Sequence, residues 1–225
     1  GIVTVPEGRL ARVTKFIRPQ KGIPASLKLI DIAGIVRGAS EGQGLGNKFL
    51  ANIRESDAIC QVVRTFEDSD VVHVDGKVSP KDDIETINTE LILADLQTLD
   101  KALPRLEKEA RLNKERAAVL AAAQQAKEVL DSGKTVHAAG LDLEPLRELF
   151  LLTAKPFLYV FNLDTESLAN TELKNELAAL VAPAQAVFLD AQLESELVEL
   201  DASDAAELLH EAGQDEPGLD ILARA

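Results

Sequence analysis

The sequence predicts an α/β protein with a doubly wound parallel sheet, interrupted by an α-helical coiled-coil insert. Three observations carry this. Short β-rich runs alternate with helical segments, the order that lays helices over the faces of a parallel sheet. From Asp82 to about Gly133 the alternation stops and the pattern is helical throughout. The 225 residues, 46% hydrophobic and 28% charged, have the composition of an ordinary globular protein, long enough for one large domain or two small ones.

In chain order, IVTV (2–5) and SLKLID (26–31) read as strands, the second alternating before it turns apolar. GNKFLANIRESD (46–57) has helical spacing, and AICQVVRTF (58–66) is a β-rich run that places Cys60 in the core. KPFLYVFNL (155–163) and AQAVFLDA (184–191) are buried-strand candidates, with helical segments at 166–181, 193–200, 203–212 and 218–225. Within the long helical block, Ile92, Leu96, Leu99, Leu103, Leu106 and Ala110 alternate at spacings of four and three, a heptad seam. Val119, Ala123, Ala126 and Leu130 make a smaller matching seam, so the simplest structure is an antiparallel hairpin turning near Arg111–Glu115. Pro104 lies inside the first seam and is expected to kink or break it.

Charge is unevenly placed. The formal net charge is −14, and residues 141–225 carry all of it, whereas residues 1–140 sum to zero. Residues 9–28 are basic (Arg9, Arg12, Lys15, Arg18, Lys21, Lys28) with no acid among them. Solvated surface accounts for both features, and the acidic half argues against direct DNA binding. A single cysteine excludes a disulfide framework and suits a reducing cytoplasm. No apolar run is long enough to span a membrane, and GIVTVPEGRL lacks a signal-peptide layout. A first residue other than Met leads us to expect a missing N-terminus. His73, His137 and His210 make no metal spacing, and no Ser/His/Asp or paired-carboxylate arrangement appears.

The stretch KLIDIAGIVRGASEGQGLGNKF (28–49) carries the most chemistry. An apolar run reaches Asp31, then Gly34, and residues 34–46 hold five glycines. An Asp at a strand end can hold Mg²⁺ through water, and a Gly amide can approach a terminal phosphate because no Cβ intervenes. Four residues alone fit a tight turn with a capping Asp equally well; the glycines that follow favour a loop that orders around a ligand. Ser132-Gly133-Lys134-Thr135 imitates the end of a phosphate loop, but Glu128 stands where the first Gly is required and the preceding segment is helical. Gly133 therefore reads as a helix stop. Asn162 ends YVFNLD where a strand-end ligand sits in a doubly wound fold, as either a base contact or a turn residue, and Asp190-Ala191 holds the same place on the next strand. Arg64 faces either a nucleotide or a carboxylate such as Glu67.

Taken together, IDIAGIVRGASEGQGLGNKFLANIRESDAICQVVR, DIETINTELILADLQTLDK, LLTAKPFLYVFNLD and LESELVEL resemble the YchF/Obg-like ATPase family over nearly the whole chain. The resemblance implies a P-loop NTPase-type G domain with a coiled-coil insert, divided here as 1–81 (first part, with the switch), 82–140 (insert) and 141–225 (second part, with the base motifs). It implies ATP as substrate, Mg²⁺ as cofactor, a ribosomal or other translation-associated partner, and a cytoplasmic monomer. Asp31 and Gly34 correspond to the switch residues that serve the metal's water shell and the γ-phosphate. Ile35 stands where most related GTPases place a water-orienting Gln, and its side chain neither donates nor accepts a hydrogen bond. Asn162 corresponds to the base-recognition Asn, Leu163 to the apolar residue beside the base, and Ala191 to the small residue whose amide closes over it.

Two departures from the family pattern matter. Three residues after the Asn, where GTPases have Asp and this family Glu, the chain has Thr165, with Glu166 next and Asp164 before. Loss of the guanine-reading Asp is consistent with ATP. No phosphate loop occurs in these 225 residues, so this segment alone is expected to bind ATP poorly and hydrolyse it negligibly. The alternatives are an Obg-class GTPase, or a non-catalytic interaction module working through the hairpin and the basic 9–28 segment. The hairpin equally suits a structural spacer.

Overall fold

The β-rich runs beyond residue 57 form one parallel sheet. In the computed structural model, which describes residues 1–4, 8–17, 23, 25–32, 45–66 and 78–225, these strands are β3 (Ile59–Arg64), β4 (Phe157–Asn162) and β5 (Gln185–Leu189), in the order β3-β4-β5. Register brings Arg64, Asn162 and Leu189 side by side at the carboxyl ends. Alternation then sorts the side chains. Phe157, Tyr159 and Phe161 of β4, with Val63 of β3, enter the main core, and Val160, Val187 and Leu189 face the other way.

Upstream, β1 (Ile2–Thr4) and β2 (Ser26–Lys28) pair with each other antiparallel, Ile2 opposite Lys28 and Val3 opposite Leu27. The expectation of a parallel arrangement is corrected for these two. Residues 26–28 are all exposed, and a strand carrying Ser26 and Lys28 lacks the two apolar faces that a parallel strand buries. Helix α1 (Gly8–Ile17) connects them, and α2 (Leu45–Glu55) places Leu50 and Ile53 in the main core.

Helix α3 (Pro80–Ala110) starts sharply: Pro80 occupies the first turn, and Ser79 accepts the Asp82 N–H. Its first half packs Ile84, Leu91 and Ala94 against the sheet. Its second half pairs with α4 (Lys114–Asp131), burying Leu99 and Leu106 with Ala123, Ala126 and Leu130. This is the predicted seam, each fully buried Leu contributing about 1.5–3 kcal/mol. The turn falls at Leu112–Asn113, where Asn113 caps α4 through the Glu115 N–H at 2.8 Å. Pro104 leaves α3 uninterrupted, since Leu99 and Leu106 on either side are packed into the same seam. Past α4, Gly133 stops the helix with φ of +79°, so the Ser-Gly-Lys-Thr run follows a helix as its sequence context requires.

One buried carboxylate joins the two cores. Asp95, fully buried on α3, accepts the Leu152 N–H (2.8 Å), the Thr153 N–H (2.8 Å) and the Thr153 hydroxyl (2.7 Å). Burial pushes its carboxyl above the ordinary range, and the three donors pull it back. Arg116 of α4 makes a forked contact to Glu148 at 2.6 and 2.7 Å, closing the hairpin against the 3₁₀ turn Glu144–Leu149. Lys155, before β4, donates to the Arg54 and Ser56 carbonyls and so ties down the end of α2.

The remaining helices are α5 (Thr165–Leu168), α6 (Thr171–Val181), α7 (Ala191–Glu199), α8 (Ala202–Glu211) and α9 (Gly218–Arg224). The continuous helix expected over 166–181 is two, because Asn170 leaves the helix to accept the Leu173 N–H at 3.0 Å. Ile221 and Leu222 of α9 cover Val160, Val187 and Leu189, so helices lie on both faces of the sheet. Cover on that second face stops short of β3. Val62 is 67% exposed and Cys60 is exposed too, correcting the expectation of a core cysteine: both alternate with the buried Gln61 and Val63. Among the described residues no helix is long and apolar enough to cross a membrane.

Candidate functional site

The strand order puts the expected base-motif residues at one end of the sheet. Asn162 ends β4, and its carbonyl accepts both the Thr65 N–H (3.1 Å) and the Thr65 hydroxyl (2.9 Å) from the end of β3. Leu163 N–H donates to the Leu189 carbonyl at 2.9 Å, holding the chain beside β5 for one more residue. The Asn162 side chain then bridges strands: its Oδ1 accepts the Ala191 N–H at 2.9 Å. Its amide nitrogen is left without a partner among the described residues.

Asp190, only 7% exposed, is engaged through both carboxylate oxygens. Oδ1 caps α7, accepting the Gln192 N–H (2.9 Å) and the Leu193 N–H (3.3 Å). Oδ2 accepts the Thr165 hydroxyl at 2.6 Å, a short charge-assisted hydrogen bond from the start of α5. The neighbouring Asp164 caps α5 through the Ser167 N–H at 2.7 Å.

Around these groups lies a cavity of about 540 Å³, open to one side at the carboxyl ends of β3, β4 and β5. Phe66, Asn162, Thr165, Asp190 and Gln192 line it, with Glu196 and Glu211 contributed by α7 and α8. Among the described residues its lining contains acids and amides but no Lys, Arg or His. Such a lining suits an uncharged, planar group with N–H donors, with Phe66 offering a flat apolar surface; it does not suit phosphates. This is also the place where ligands bind in parallel α/β sheets.

The expected site residues divide as follows. Asn162 and Leu163 line the cavity, although the Leu163 side chain is fully buried in the core. Ala191 lies beside it, with its amide taken up by Asn162. Asp31, exposed just past β2, is not part of the cavity; Ile32 after it packs on the main core. Gly34 and Ile35 lie outside the described residues, as does Glu67. Among the described residues no cluster of His, Cys, Asp and Glu has metal-site geometry. Sequence reasoning passed over Phe66, Gln192, Glu196 and the contribution of α8. Phe66 was open to inference, since it follows a strand whose end shares the edge with Asn162; the arrival of α8 is a matter of packing.

Comparison with known proteins agrees with this architecture. A family model described as "50S ribosome-binding GTPase" matches residues 7–94. The "Ribosome-binding ATPase YchF" of Haemophilus influenzae is 42% identical over 231 aligned residues, covering all of this chain and 64% of the relative. The protein of the same description from Bacillus subtilis is 43% identical, again over the whole chain and 64% of the relative. The chain thus spans somewhat under two thirds of the length of the curated relatives it matches. A solved structure, the YchF GTPase of Schizosaccharomyces pombe, superposes on 98% of this chain and 62% of its own with a TM-score of 0.77 at 28% identity. With a parallel α/β sheet, a helical hairpin and similarity running from end to end, the chain is homologous over its whole length to the YchF proteins it matches.

Proposed function

We propose that the chain supplies the switch and base-binding portions of a nucleotide-hydrolysing switch protein that converts ATP to ADP and phosphate. The observation that carries this is the strand-end cavity of about 540 Å³, lined by Asn162 and, among the described residues, by no basic side chain. In this reading Asn162 and Leu163 hold the base, and Ala191 fixes the Asn162 rotamer. Gly34 serves the γ-phosphate, and Ile35 leaves water orientation to other groups. Mg²⁺ would neutralise phosphate charge, with Asp31 contributing through water. A single exposed carboxylate suits an ion that keeps most of its waters and takes its other ligands from phosphates.

The bacterial relatives are described as ribosome-binding ATPases and the Schizosaccharomyces pombe neighbour as a GTPase. Base chemistry here favours adenine, because Thr165 stands where a guanine-reading carboxylate belongs. The ribosome as partner, the cytoplasm as location and a monomeric state complete the proposal. So does the division at 1–81, 82–140 and 141–225, with α3 bridging the sheet and the hairpin.

Saturation-transfer NMR, which reads millimolar binding, tests the site on this chain with ATP and Mg²⁺. Transfer to adenine H2 and H8 is expected, with affinity falling about tenfold in Asn162→Ala, the worth of one hydrogen bond. Absence of transfer to both ATP and GTP at millimolar concentration overturns the reading. Co-sedimentation with ribosomes tests the partner separately.

A further inference from the structure

We propose that a groove at the foot of the sheet docks a basic protein segment of the ribosomal partner, which seats an apolar side chain on Phe150. The inference rests on the ribosome-partner reading above and adds the surface on this chain and the chemistry it meets. The groove, about 630 Å³ and open to solvent, lies between the end of α2 and the end of the 3₁₀ turn Glu144–Leu149. Arg54, Glu55 and Asp57 line one side, and Leu149, Phe150 and Lys155 the other. These residues precede the amino ends of β3 and β4, whereas the base cavity lies at the carboxyl ends. A partner here and a nucleotide there do not compete for space.

Phe150 is the one non-glycine residue with a positive φ among those described, +49°. A bulky side chain enters that region at a cost that Gly or Asn largely avoids. Burial does not offset the cost, because Phe150 is 66% exposed while Leu149 beside it is buried. An aromatic ring at the rim of a groove gains its burial from a partner instead. The charges state which partner. Arg54 and Lys155 turn toward the protein: Arg54 donates to the Thr98 hydroxyl at 3.5 Å, and Lys155 to the Arg54 and Ser56 carbonyls. Glu55 and Asp57 are exposed and form no salt bridge among the described residues. They stand at the carboxyl end of α2, the negative pole of its dipole. The charge facing outward is therefore negative and suits Lys or Arg on the partner. Ribosomal RNA, a polyanion, is disfavoured both by these acids and by a chain of net charge −14, so the match is to a basic protein segment.

Co-sedimentation with ribosomes, with protein-free ribosomal RNA in a parallel arm, reads the affinity of the full chain and its variants. Phe150→Asn suits the positive φ and removes the ring. It is expected to weaken ribosome binding about tenfold or more while its urea midpoint stays at or above that of wild type. Glu55→Gln/Asp57→Asn is expected to weaken binding about fivefold at low salt and to flatten its salt dependence. Glu172→Gln/Glu176→Gln makes the same charge change at exposed positions of α6 and should leave binding unchanged. Four results overturn this inference and leave the ribosome as partner: undiminished binding in either groove variant, a lowered midpoint in Phe150→Asn, an equal loss in the α6 variant, or binding to bare RNA as tight as to ribosomes. Failure of the wild type to sediment with ribosomes at low salt overturns both.

Discussion

Replacing Asp95 by Ala tests whether one carboxylate holds the hairpin to the sheet. The side chain is fully buried and accepts three hydrogen bonds, two of them from the backbone of Leu152 and Thr153. Truncation leaves three buried donors without an acceptor. Each such donor costs about 1–3 kcal/mol, offset by no longer burying a charge. The net expectation is a loss of about 3–5 kcal/mol, the range for removing one member of a buried charged network. Thr153→Val removes one of the three bonds and also the acceptor of the buried Val136 N–H (3.4 Å), and should cost about 2 kcal/mol. Because the two residues share that bond, the double variant should fall short of the sum. Urea unfolding at neutral pH gives the stabilities, and hydrogen exchange at Leu152 and Thr153 locates the loss. An Asp95→Ala variant within about 1 kcal/mol of wild type would refute the reasoning, since it would mean the donors find water or new partners.

Two further perturbations probe the packing around the site. Gly218 begins α9, and a Cβ built there lies 2.6 Å from Leu189 Cβ and 2.9 Å from Glu194 Oε1. Gly218→Ala should therefore cost about 1–3 kcal/mol by overpacking and loosen α9 from β5, read as a lower thermal midpoint with raised exchange in residues 218–224. The Glu148 carboxyl is held below its ordinary value chiefly by the hydrogen bond from Arg116. A lowered folded value means stability present above about pH 4.5, the ordinary Glu value, and lost as pH falls through the folded one. The difference in urea midpoint between wild type and Glu148→Gln should accordingly be present at pH 7 and shrink below pH 4.5; a difference independent of pH would mean the ion pair contributes nothing.

Much of this molecule was legible in its one-dimensional pattern. The heptad seam from Ile92 to Ala110 required a helical pairing, because only a partner helix buries apolar residues spaced four and three apart. FLYVF required a central strand, since a run apolar on both faces has no other stable place. Asn162 was identifiable because carboxyl ends of parallel strands are where such a fold binds ligands. Local rules failed where a neighbour decided the outcome. Cys60 sits on an apolar strand, yet it faces a side that α9 does not reach, and nothing in AICQVVRTF reports the reach of a helix 160 residues away.

For the candidate site, the sequence determined which residues stand at the strand ends, because strand limits and side-chain alternation are local properties of the chain. Only the tertiary structure decided what those residues touch. The Ala191 amide and Asn162 meet across 29 positions, and Thr165 meets Asp190 across 25. Both pairings depend on the register of β4 against β5 and on α5 and α7 starting at the same edge. A hydrogen bond across such a distance exists only after the sheet has formed, which is why Asp190 reads in the sequence as a strand-end residue and in the folded protein as a carboxylate that caps α7 and holds Thr165 of α5.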